Sequence, residues 1–182
     1  APIIYLQDDA WAGVPEDHLK IWLVNVDWEN LENSTIEESQ ELGSASGVSP
    51  FTATFDGGAF SNLSQPGDTP EIDALQATMM YMTQYRRFAD HNSVVMNFVV
   101  DVDPTLAEHA GIRWYELRQN SDGGKWSVYQ EGTYAPDKSD RFSGSIGMDD
   151  QGNIGLGFTV LDDSPGNPIY PSIRYTGRYA ND

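Results

Sequence analysis

The sequence predicts a mainly β protein built from antiparallel sheets and forming part of a β-propeller, with a β-sandwich as the alternative. Three observations carry this expectation. Short β-prone runs follow one another closely, each bounded by Gly, Asn, Asp or Pro, the punctuation of strands and tight turns. The connections are too short for parallel crossovers, which need a dozen residues or more. Residues 94–140 and the stretch from 143 onward begin a similar series of strands, spaced by about 45 residues as propeller blades are.

Residues 3–6, Ile-Ile-Tyr-Leu, form the first short run. Residues 20–28 form a longer strand, with Ile21, Leu23 and Asn25 on one face and Trp22, Val24 and Val26 on the other. Residues 29–49 are acidic and rich in Ser and Gly, and read as an exposed irregular connection. In residues 51–55, Phe51, Ala53 and Phe55 alternate with Thr52 and Thr54. One helix is expected near 70–88. Thr69 would be its N-cap, Pro70 would sit in its first turn, and Glu71 would lie at its positive end. Ile72, Leu75, Met79 and Met82 follow at spacings of three, four and three, with Tyr85 after them, which makes one apolar helical face. Arg86 and Arg87 would complement its C-terminal dipole. Strands are then expected at 93–102, 111–118, 125–134, 143–148, 154–160 and 170–175. Residues 120–124 and 149–153 form hairpin turns between them, where Gly tolerates positive φ. No composition shift marks a linker, so 1–182 is read as a single mainly-β domain or a propeller fragment.

The chain carries 28 acidic and 10 basic side chains, a formal net charge of −18. Such a surface repels phosphate backbones and anionic headgroups, so nucleic acid is not an expected partner. No apolar run reaches the roughly 20 residues of a spanning helix, and no membrane insertion is expected. There is no cysteine, which removes disulfides, thiolate catalysis and cysteine-ligated zinc. The opening Ala1-Pro2-Ile3 has no initiator Met, so the chain is expected to be a processed protein or part of a longer polypeptide. Strong acidity with 17 Gly and 10 Pro suits a secreted protein working in salt or calcium.

Several segments are distinctive: Gly111-Ile112-Arg113-Trp114-Tyr115-Glu116-Leu117-Arg118, residues 126–134 (WSVYQEGTY), Gly144-Ser145-Ile146-Gly147-Met148-Asp149, residues 152–158 (GNIGLGF) and residues 171–178 (PSIRYTGR). Upstream, Gln65-Pro66-Gly67, Ile72-Asp73-Ala74-Leu75 and Tyr85-Arg86-Arg87-Phe88 fit the same order. Together they resemble the middle part of a family of large secreted bacterial proteins with β-propeller-like repeats. The resemblance implies a fold and a longer parent chain, and carries no established activity. Ser145, Asp149, Gly152 and Phe158 have the residue types of the structural Asp-box hairpin of sialidase propellers, at a different spacing.

The candidate ligand-binding residues follow from strand alternation. Arg113, Tyr115 and Leu117 share one face of their strand, and Trp114, Glu116 and Arg118 the other. Trp114 beside Glu116 and Arg118 suits a sugar platform; the alternative is a Glu–Arg pair tying strands beneath a buried Trp. Arg174 and Arg178 add guanidinium groups, and three arginines meeting one carboxylate would make a sialidase-like site. In that case Glu116 or Glu131 would assist, and Tyr115, Tyr129 or Tyr134 would be the nucleophile. Trp126 is a further aromatic contact. Among the acidic doublets, Asp149 and Asp150 with Asn153 are the candidate ligands of a structural calcium ion, although a hairpin using Asp and Gly explains them equally. His18, His91 and His109 lack the spacing of a zinc site. The functional expectation is a binding or adhesion module contacting glycan or a surface protein. A sialidase-like hydrolase and a non-catalytic scaffold segment are the alternatives.

Overall fold

The computed structural model describes residues 1–67, 69–80, 82–103, 105 and 107–182, with only the backbone of residue 39. The chain is 47% strand and 5% helical, and among the described residues no helix reaches seven residues. Among the described residues ten strands form three antiparallel meanders. The first contains β1 (Pro2–Gln7), β2 (His18–Asn25) and β3 (Thr35–Leu42). The second contains β4 (Gln84–Arg87), β5 (Asn92–Asp101), β6 (Ala110–Gln119) and β7 (Ser127–Tyr134). The third contains β8 (Asp140–Met148), β9 (Ile154–Asp162) and β10 (Ile169–Arg178). In each sheet spatial order follows chain order, as short hairpin connections require.

The second sheet is the middle layer. On β5, Val94, Met96, Phe98 and Val100 pack with Ile4, Leu6, Leu19, Ile21 and Leu42 of the first sheet. Val95, on the opposite face, packs with Ile146, Ile154, Leu156 and Phe158 of the third sheet. A third cluster, which includes Phe55, Leu63, Val99, Phe142 and Leu161, closes one end of that interface. Residues 92–100 are therefore buried without interruption, which explains why β5 reads as a near-continuous apolar run.

Two glycines permit the close approaches. Gly144 follows a slip in β8 register, next to Ser143 at φ 50°, and a Cβ there would collide with Asn97 Oδ1. A Cβ on Gly132 would meet the Trp114 indole at 3.0 Å, so this glycine lets the ring lie across β7.

Three expectations are corrected. No helix forms among the described residues of 70–88. Ile72 exchanges backbone hydrogen bonds with Leu63, Leu75 and Ala77 hold positive φ, and residues 84–87 pair with β5. Thr69 Oγ1 donates to Pro66 O instead of capping a helix, and Tyr81 lies outside the described residues. Second, residues 29–49 contain β3. It pairs with β2, and Lys20 reaches Glu38 at 3.5 Å and Glu41 at 3.0 Å. Third, residues 51–55 form no ladder beyond the Thr52–Asp101 bridge, although their alternating burial is as expected. Asp17 and Asp8 hold this segment by accepting from the Phe51 and Ala53 amides. The sheets do not close into a barrel.

Candidate functional site

Strand alternation divides the expected site residues into separate environments. Arg113, Tyr115 and Glu131 meet on the face of the middle sheet turned toward the first sheet. Arg113 Nη2 is 2.7 Å from Glu131, its Nε donates to the Tyr115 hydroxyl at 3.0 Å, and its Nη1 donates to Thr133. Arg113 Nη2 also donates to Ser49 O, and Glu131 accepts the Ser49 amide. Arg113 is buried and its hydrogen bonds are satisfied within the fold. Burial pushes the Tyr115 hydroxyl far above its ordinary pKa, which leaves it unsuited to nucleophilic chemistry.

Glu116 and Arg118 lie on the opposite face. Glu116 is fully buried and accepts from Ser93, from Arg118 Nε at 2.5 Å and from Gln130. The Arg118 guanidinium rests 3.3 Å from the Tyr129 ring centroid. Trp126 packs edge-on to Tyr85, and Gln40 holds its backbone. These groups join strands and layers. Arg174 is exposed on β10, whereas Arg113 and Arg118 are held on opposite faces of the middle sheet by Glu131 and Glu116. Arg113 and Arg118 therefore do not meet on one carboxylate.

Trp114 and Arg178 do come together. The Arg178 guanidinium stands 5.8 Å from the Trp114 ring, within cation–π range. They flank a cleft of about 180 Å³ between the middle and third sheets, walled by Tyr134, Ile146, Ile154 and Leu156. It adjoins a shallower groove of about 340 Å³, lined by Asn153, Tyr175, Tyr179 and Asp182. Arg178 Nη2 donates to the Asp182 carbonyl at 2.5 Å, whereas its Nε is buried without a hydrogen-bond partner. Tyr175 and Tyr179 are 89% and 72% exposed, so their rings are free to stack on a ligand. The cleft thus combines aromatic faces, an apolar wall and one guanidinium nitrogen lacking an acceptor. These features suit a ligand with an apolar face and oxygen acceptors.

Asn153, expected with Asp149 and Asp150 as a calcium ligand, borders the groove. The Asp149 carboxylate accepts the amides of Gln151 and Asn153 and the Asn153 side chain, each within 2.9 Å. These bonds hold its pKa below the usual range, and the residue works as a turn acceptor. Asp150 is exposed beside it. One oxygen each of Asp8, Asp9 and Asp17 lies within 4.8 Å of the others. Asp8 also accepts the Ala10 and Ala53 amides, and Asp17 those of Asp9 and Phe51. Burial raises the Asp17 pKa.

A further cavity of about 260 Å³ is lined by Asp56, Asn62, Ser64, Glu108, Asp140 and Asp163. Burial pushes the Asp140 carboxyl up to about 6. The Glu108 carboxyl is raised too, chiefly by burial; it accepts the Asp56 amide and keeps Oε2 buried without a partner.

Tyr175, Tyr179 and Trp28 were not among the expected site residues. Trp28 is 85% exposed in the β2–β3 connection, where Asp27 accepts the Glu29 and Asn30 amides and the Asn33 side chain. The closeness of Tyr179 to the second Arg of the 171–178 motif was the available signal for that rim.

No family model, curated protein or solved structure matches the chain. Among the described residues no helix is long and apolar enough to cross a membrane.

Proposed function

We propose that the protein is a non-catalytic glycan-binding module of an extracellular or bacterial cell-surface protein. The carrying observation is that Arg178 lines a cleft walled by aromatic and apolar side chains with its Nε buried and without a hydrogen-bond partner. A saccharide ring offers an apolar C–H face to Trp114, Tyr175 or Tyr179, and oxygen acceptors to the guanidinium. The bound Arg113 and Glu116 networks favour binding over sialidase-like hydrolysis.

The propeller reading belongs to the same proposal. Three successive meanders stacked face to face in chain order are what neighbouring blades of a longer ring would form. A structural calcium ion is also retained in it, supported by the Asp8, Asp9 and Asp17 oxygens. Identical melting temperatures in excess calcium and in chelator would remove the ion from this reading.

The decisive experiment incubates the protein with a broad glycan library and reads capture and cleavage by mass spectrometry. Retained intact glycans, lost from Arg178→Ala and Tyr179→Ala variants, support the module. Shortened glycans would establish hydrolysis instead. Neither capture nor cleavage would leave the scaffold segment as the better reading.

A further inference from the structure

Each outer sheet has two edge strands, β1 and β3 in the first and β8 and β10 in the third, and of these β3 and β10 have opposite chemistry. β10 pairs only with β9, and β3 only with β2, so each leaves one backbone edge free of strand partners among the described residues. A free edge offers unpaired N–H and C=O groups to another strand. Residues 35–38 of β3 are exposed, as are residues 170–175 of β10. Ile36 is 65% exposed and Ile173 87%. Burying either requires a partner from outside the chain.

Charge identifies that partner. Residues 27–41 hold Asp27, Glu29, Glu32, Glu37, Glu38 and Glu41, with no Arg and only acidic charge. Residues 164–181 hold Arg174 and Arg178 and no acid, in a chain of net charge −18. Neither arginine lies within salt-bridge distance of a carboxylate side chain among the described residues. The alternations also agree. When Ile36 shares a sheet face with Ile173 and Tyr175, Glu37 shares the other with Arg174.

We propose that the β10 edge of one copy pairs with the β3 edge of a second copy, joining copies head to tail by strand addition. The two edges differ, so the contact is heterologous and leaves a free edge at each end of every assembly. This contact meets the glycan site only at Tyr175, which borders the groove beside the cleft. It uses the outer edge of β10 and the Ile173–Arg174 pair, whereas the cleft uses Trp114 and Arg178. Copies of a −18 chain repel at long range. At 0.15 M salt the screening length is about 8 Å, which weakens that repulsion more than a contact between paired strands.

The test is analytical ultracentrifugation at 0.15 M salt, up to on the order of 1 mM protein, where even millimolar contacts are populated. The wild type should form dimers and longer species. Ile173→Lys with Arg174→Glu removes the β10 edge, and Ile36→Lys with Glu37→Lys removes the β3 edge; all four side chains are exposed. Each variant alone should be monomeric. A mixture of the two should form 1:1 dimers and nothing larger, through the one intact edge on each. The charge reversals give a second readout. Arg174→Glu or Glu37→Lys alone should weaken association at least tenfold, and both reversals in one chain should restore it. A monomeric wild type overturns the proposal, and so does a mixture that stays monomeric. Self-association of the β3 variant would show β10-to-β10 pairing, and self-association of the β10 variant a β3-to-β3 contact; either overturns head-to-tail addition.

Discussion

Asp140→Asn is expected to stabilise the protein near neutral pH and to leave it unchanged in mild acid. Asp140 accepts the Ala110 amide at 2.8 Å and lines the acidic cavity. Its carboxyl is raised from 3.8 to about 6, first by burial. A carboxyl raised on folding binds its proton more tightly in the folded state. Its contribution is therefore fully present below the unfolded pKa and is lost as pH rises through the folded one. The shift of about two units corresponds to about 3 kcal/mol as an upper bound, at 1.36 kcal/mol per unit. Asparagine keeps an oxygen for Ala110, whose bond the shift already includes, but adds an amide NH2 that costs about 1 kcal/mol where it finds no acceptor. A net gain of about 1–2 kcal/mol should remain at pH 7.5, or about 2–8 °C in melting temperature for a chain of this size. The assay is thermal unfolding of both proteins at several pH values between 4 and 8, in chelator so that cations do not mask the acids. The difference between them should open across pH 4–6. A variant that melts lower at pH 7.5, or a difference independent of pH, would refute the reasoning.

Other expectations follow from the same contacts. Glu116→Ala leaves the Arg118 guanidinium and two polar side chains without their buried acceptor, and should cost about 3–5 kcal/mol in chemical denaturation, with Glu116→Gln costing less. Gly144→Ala places a methyl group against Asn97, and should lower the melting temperature by the equivalent of about 1–3 kcal/mol as β8 is pushed off β5. Gly132→Ala should displace the Trp114 ring, read as a change in near-ultraviolet circular dichroism and as weaker glycan capture. Arg178→Lys keeps the charge but loses the Nε donor, so its capture should fall nearly to that of Arg178→Ala.

Much of the fold was legible because period-two alternation governs most of its strands. Alternation also assigned Arg113 and Tyr115 to one face and Trp114, Glu116 and Arg118 to the other, as found. β3 was illegible because Thr35-Ile36-Glu37-Glu38 is exposed on both faces; its order comes from pairing with β2, and only Leu42 at its far end reaches the core. The absent helix illustrates the opposite error. Ile72, Leu75 and Met79 have helical spacing, but Ile72 is taken by Leu63 and Leu75 sits at φ 56°, neither of which spacing can reveal. The cleft depended on β6 and β10 meeting across two sheets, a matter of topology. Local sequence could nominate Trp114 and Arg178 but could not bring them together.

The strand buried on both faces has a consequence for how the molecule opens. Because β5 supplies side chains to both interlayer cores, neither can melt while the other keeps its full complement, so the three layers should unfold in one cooperative transition. Amide protons of residues 94–99 should then exchange with deuterium only through global unfolding, at a rate set by the stability of the whole protein. A chain severed between β4 and β5 should yield two pieces that gain structure only when recombined.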